Sequence, residues 1–104
     1  MTSREYFEFI SDALSPIDGV TFYPMMGEYV LKYRDKTVGG LYDDRLLIKI
    51  TDESEKFFRF SPRTIPYQGA KEMIFPDGLP SPSDLKDLFE KMFAELPEPK
   101  RRKK

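Results

Sequence analysis

Residues 28–50 read Glu28-Tyr29-Val30-Leu31-Lys32-Tyr33-Arg34-Asp35-Lys36-Thr37-Val38-Gly39-Gly40-Leu41-Tyr42-Asp43-Asp44-Arg45-Leu46-Leu47-Ile48-Lys49-Ile50. Their hydrophobic period is two, the period of extended chain. Tyr29, Leu31 and Tyr33 share one face of the first segment, Glu28–Arg34. Val30, Lys32 and Arg34 share the other. Asp35-Lys36 is read as a tight connection. In the next segment, Thr37–Tyr42, Val38 and Tyr42 share a face around a Gly39-Gly40 pair. Asp43-Asp44 turns the chain again. In Arg45–Ile50, Leu46, Ile48 and Ile50 point one way, and Arg45 and Lys49 the other. This alternation predicts an antiparallel meander with one buried face and one wetter face. Upstream, Asp18-Gly19 is a turn, and Val20 to Met26 is a further strand. Pro24 marks that strand as an edge or a bulge.

On both sides of the meander the period becomes helical. Thr2 with Glu5 fits a capping box, and Tyr6, Phe9, Ile10, Ala13 and Leu14 form one stripe that Ser15-Pro16 ends. Asp52 with Glu55 reads as the cap of a short helix carrying Phe57, Phe58 and Phe60, stopped by Ser61-Pro62. Residues 61–71 are rich in loop formers, and Glu72 to Phe75 is a last strand. Ser81 is an N-cap, with Pro82 at the first helical position and Asp84 in the first turn. Leu85, Leu88, Phe89, Met92, Phe93 and Leu96 keep helical spacing after it. The expected fold is therefore α+β, in the order α-β-β-β-β-α-β-α. It is a two-layer sandwich, an antiparallel sheet of about five strands with helices on one face.

The chain has 104 residues, with no Cys, no His and no Trp. Disulfides, thiolate nucleophiles, zinc ribbons and His-assisted catalysis are excluded. Apolar runs are too short for a membrane span, and no cationic-then-apolar leader opens the chain, so a cytoplasmic protein is expected. The formal net charge is −1, from 17 basic and 18 acidic residues. Five of the basic residues are consecutive, Lys100, Arg101, Arg102, Lys103 and Lys104, so positions 1–99 carry −6. Residues 1–97 read as a single domain and 98–104 as a flexible basic tail, set off by Pro97 and Pro99.

Several segments together carry a family resemblance. Met25-Met26-Gly27-Glu28 precedes a strand, Asp35-Lys36 stands at a hairpin, and Asp43-Asp44-Arg45-Leu46 opens the strand ending at Lys49. Ile65-Pro66-Tyr67-Gln68-Gly69-Ala70-Lys71-Glu72-Met73 and Glu95-Leu96-Pro97-Glu98-Pro99-Lys100 follow in order. In these, residues 3–100 resemble the amino-terminal domain of the TfoX/Sxy family of bacterial competence regulators, in a short single-domain branch. The resemblance implies an antiparallel α+β fold of the secretion-chaperone-like kind and a role in regulation. It implies no catalytic residues. The full-length regulators carry a second, helical domain that finds no counterpart in these 104 residues.

The resulting expectation is a non-enzymatic regulatory or protein-interaction domain that needs no cofactor and touches no membrane. Its binding surface is expected at the sheet edge and at Met26, Gly27, Glu28, Tyr29, Asp43, Asp44, Tyr67 and Glu72. Asp43-Asp44 suits a hairpin turn. With Glu28, Glu72 or Asp77 nearby it would also suit Mg²⁺ or Ca²⁺, in a carboxylate-based metal module or enzyme. Gly39-Gly40 suits either a helix packed closely on the strand or a ligand approaching its backbone. Met25-Met26 reads as core filling near a bend or as an adaptable contact surface. Tyr23, Tyr29, Tyr33, Tyr42 and Tyr67, with Lys32, Arg34 and Lys49, read as cross-strand packing or as a single-stranded nucleic-acid platform. Lys100–Lys104 offers a salt-sensitive contact for nucleic acid, the other expected partner class. An edge strand also leaves a homodimer open.

Overall fold

A computed structural model describes residues 1–98. Three two-residue turns build the meander. Met26 and Gly27 join Val20–Met25 (β1) to Glu28–Tyr33 (β2), and Arg34 and Asp35 join β2 to Lys36–Leu41 (β3). Asp43 and Asp44 lead from β3 to Leu46–Ile48 (β4), with Tyr42 and Arg45 exchanging backbone hydrogen bonds of 2.9 and 3.1 Å. All six turn residues have positive φ, from 49° at Arg34 to 85° at Gly27. Positive φ at both central positions marks the type I′ turn, whose twist matches that of the strands it joins. The second turn lies one residue earlier than the expected Asp35-Lys36, because Tyr33 pairs with Lys36.

The sheet has six strands in the order β1-β2-β3-β4-β6-β5, every pair antiparallel. The extra strand relative to the expected number is Arg63–Thr64 (β5), in the segment read as loop. It pairs with Met73–Ile74 (β6). A strand of two residues carries no periodic signal, so only the partner strand reveals it.

Register assigns the faces. Tyr29, Leu31 and Tyr33 face the core with Leu41, Leu46, Ile48 and Ile74. A register shift between Leu31 and Lys32 inserts an extra residue opposite them in β3. Val38 therefore joins Leu41 in the main core, whereas Tyr42 lies in a second cluster with Leu47 and Met73. The expectation that Val38 and Tyr42 share a face fails for this reason. The glycine pair also finds a different neighbour from the expected helix. A Cβ on Gly39 would lie 2.2 Å from the Leu47 carbonyl oxygen, and one on Gly40 2.5 Å from the Tyr42 ring.

Helices Arg4–Leu14 (α1) and Pro82–Glu95 (α3) supply Ile10, Leu14, Leu85, Leu88, Phe89 and Met92 to the same core. Ser81 caps α3 as expected, its side chain accepting from the Asp84 amide. Ser3, not Thr2, caps α1, accepting from Tyr6 N at 3.1 Å. Phe9 leaves the expected stripe and is 63% exposed, while Phe7 stacks on Tyr29 at 4.1 Å. Asp52–Phe57 (α2) is capped by Thr51 with Ser54, one residue before the expected Asp52 and Glu55, because the Thr51 side chain accepts from the Ser54 amide, and Phe60 lies exposed beyond its end. Lys36 reaches from β3 to the C-terminal end of α3. Its Nζ donates to the Phe93 and Leu96 carbonyls, each at 2.9 Å, and lies 3.7 Å from Glu98. A cation there answers both the unpaired carbonyls and the helix dipole.

Candidate interaction site

The expected site residues separate into two groups. Met26, Gly27, Glu28, Asp43 and Asp44 meet at two neighbouring turns, and the amino-terminal residues lie across them. Thr2 Oγ1 donates to Glu28 Oε1 at 2.7 Å, and Glu28 also accepts from the Asp43 amide at 3.1 Å. Asp44 Oδ1 accepts from the Ser3 amide at 2.7 Å, and the Thr2 amide donates to the Gly27 carbonyl at 3.0 Å. The Met1 amino group lies 3.3 Å from Glu28 and 3.5 Å from Asp43. Burial pushes the Glu28 carboxyl up, but the Thr2 hydroxyl, the Asp43 amide and the amino group more than offset it, so it titrates below the usual range.

These carboxylates are thus engaged in tying α1 to the sheet. Among the described residues no group of three or more Asp or Glu side chains converges as a cation site would require. Tyr29, although next to Glu28, faces inward onto Phe7. Met25 and Met26 are 40% and 97% exposed, so the core-filling reading of this pair does not hold. Tyr67 and Glu72 belong elsewhere, in a cleft on the sheet face away from the main core. The tyrosines divide likewise. Tyr33 is core, Tyr23 sits at the edge under Lys32, and Tyr42 lies near Tyr67. No continuous stacking platform forms from them. Lys100, Arg101, Arg102, Lys103 and Lys104 lie outside the described residues.

The sheet edge offers the clearest interaction geometry. Of the two outer strands, β5 has two residues and β1 six. The two-residue turn after β1 makes Met25–Glu28 a hydrogen-bonded pair. Register then makes Pro24–Tyr29, Phe22–Leu31 and Val20–Tyr33 non-hydrogen-bonded pairs. Their amides and carbonyls point outward, away from β2. Pro24 therefore costs the β1–β2 ladder nothing, and it removes one donor from the free edge. Val20 and Phe22 each keep an outward N–H and C=O.

A groove of about 400 Å³ runs beside this edge. Phe7, Ser11, Leu14, Ser15 and Ile17 line it from the α1 side, and Val20, Thr21 and Phe22 from β1. None of these eight side chains carries a charge. Pro24 signalled the edge in the sequence. The groove was not legible there, because it depends on where α1 crosses β1.

No helix among the described residues is long and apolar enough to cross a membrane. Neither a family model nor a solved structure matches the chain. It is 37% identical over 103 residues to the "Uncharacterized 12.7 kDa protein in trpE 5'region" of Spirochaeta aurantia. That alignment spans 98% of this chain and 90% of the spirochaete protein. At that identity over nearly both full lengths, the chain belongs to the family of the Spirochaeta aurantia protein.

Proposed function

We propose that the protein is a non-enzymatic interaction module that binds an extended, uncharged peptide segment by adding it as a strand beside β1. The supporting observation is the pair of outward N–H and C=O groups at Val20 and Phe22, next to an uncharged groove. Strand addition draws affinity from main-chain hydrogen bonds and specificity from pockets for alternate side chains. Two residues with both groups free allow four hydrogen bonds, each worth about 0.5–1.5 kcal/mol net. The Pro24 carbonyl accepts one more at the end of the segment. The groove beside Phe7, Leu14 and Ile17 takes every second side chain, which must be uncharged to enter it. A regulatory role for such binding follows the resemblance to the TfoX amino-terminal domain.

Selection from a displayed library of random extended peptides tests this reading. The enriched segments should alternate apolar or β-branched residues. Binding should slow hydrogen exchange at the Val20 and Phe22 amides. Ser11→Trp fills the groove from α1 without entering the main core, and it should abolish binding while leaving the unfolding transition in place. Failure to enrich any segment, or binding that leaves exchange at Val20 and Phe22 unchanged, overturns the proposal.

A further inference from the structure

The opposite face of the sheet carries a different kind of site. A cleft of about 510 Å³ opens there, against the segment that includes Tyr67 and Glu72. Its volume falls within the range of small-molecule sites. Tyr42, Leu47 and Met73 form the buried cluster at this face. Arg45 fixes one wall. It donates to the Tyr42 carbonyl at 3.0 Å and to Thr64 Oγ1 and the Pro66 carbonyl, each at 3.3 Å. Tyr67 is thereby held with its ring centroid 6.0 Å from that of Tyr42.

Two polar features of the cleft are unspent. Tyr42 is only 7% exposed, yet its hydroxyl has no hydrogen-bond partner among the described residues. Among the described residues no fully buried side-chain nitrogen or oxygen lacks a partner, so this hydroxyl keeps some solvent access, and Tyr42 itself lines the cleft. Burial first, then the neighbouring Tyr67 and Glu28, push its pKa up. It is a neutral donor at neutral pH. Lys49 is half-buried at the cleft wall and Lys71 lies at its rim. Neither makes an ion pair among the described residues. Glu72 at the same rim leaves the three charged residues with one net positive charge.

We propose that this cleft binds a small aromatic carboxylate. The Lys49 ammonium and the Tyr42 hydroxyl take the carboxylate. Tyr67 and Met73 flank the ring, giving the mainly apolar wall with a few convergent polar groups that ligand sites share. Glu72 opposes a second negative charge, which selects a monoanion over a dianion. The site lies on the face away from α1 and is independent of the β1 edge.

Titration of the full chain with benzoate, benzamide and phthalate, followed by amide chemical shifts, tests the assignment. Benzoate should produce saturable shifts at Tyr42, Lys49 and Met73. Neutral benzamide and the dianion phthalate should each bind about tenfold or more weakly. Lys49→Met and Tyr42→Phe should each weaken benzoate binding about tenfold, the second preserving the ring and so the packing. Absence of saturable shifts, shifts confined to other parts of the chain, equal affinity for all three probes, or benzoate affinity unchanged in both variants overturns the proposal.

Discussion

Met26 sits alone at the tip of the first hairpin, 97% exposed, with φ of 52°. Its side chain gives nothing back for a backbone region that costs an L-residue roughly 1–2 kcal/mol. Asn tolerates that region, and Asn-Gly is the preferred type I′ pair. Met26→Asn should therefore stabilise the protein by about 0.5–1 kcal/mol, raising Tm by roughly 2–8 °C. A calorimetric Tm equal to or below the native value would show that Met26 is held by something other than the turn. The positive-φ residues also show where sequence reading falls short. Asp43-Asp44 was legible as a turn because Asp is a turn former. Arg34 was not, because Arg has no turn preference, and its conformation follows from the Tyr33–Lys36 pairing on either side. Thr2 was misassigned as the cap of α1 because both Thr2 and Ser3 can cap. The choice was made by Glu28, 26 positions away, which accepts the Thr2 hydroxyl.

Between elements, α3 is fastened to the second hairpin at two places. Lys36 closes its C-terminal carbonyls, and Glu90 accepts from the Tyr33 hydroxyl and, at 3.3 Å, from Arg34. Glu90 falls outside the Leu85-to-Leu96 stripe, so helical spacing alone assigns it no partner, and only the hairpin packed against α3 gives it the Tyr33 hydroxyl and Arg34. The Tyr33 hydroxyl is the largest influence holding the Glu90 carboxyl below its ordinary value, assisted by Arg34 and Lys86. Burial first, then Glu90, raise the Tyr33 phenol. A depressed carboxylate stabilises the fold above its ordinary pKa of 4.5, and the contribution is lost as pH falls through the lower folded value. A raised phenol stabilises below 10.0, and that contribution is lost as pH rises through the higher folded value. Glu90→Gln should thus lower stability near neutral pH. Its difference from the native chain should shrink in acid, in denaturant titrations run across pH. A difference constant with pH would remove Glu90 ionisation from the account. The α3 boundaries were legible because Ser81, Pro82 and the unbroken Leu85-to-Leu96 spacing all act locally. The shared face of Val38 and Tyr42 was misread because a bulge leaves no mark in a period of two.

For the molecule as a whole, the edges of the sheet decide how it meets other chains. β5 is protected by its length and by Pro62 and Pro66 on either side. β1 has only Pro24, which interrupts the outward donors after Phe22. Pro24→Thr restores that donor and should make the chain self-associate by edge pairing, seen as a concentration-dependent rise in sedimentation coefficient. A monomer at all concentrations would mean that the edge is closed by other means. The layered α+β architecture was legible because it rests on periods and turn formers. The cleft, the groove and the capping lysine were not, because each joins residues far apart in sequence. The placement of α3 also bears on synthesis. The hairpins join near neighbours and can form once residue 48 has left the ribosome. Their apolar face, with Leu31, Tyr33 and Ile48, then waits for Leu85, Leu88, Phe89 and Met92. During that interval the nascent chain displays a ready-made sticky sheet. A slow stretch of translation before residue 82 would lengthen that exposure, and a fast one would shorten it.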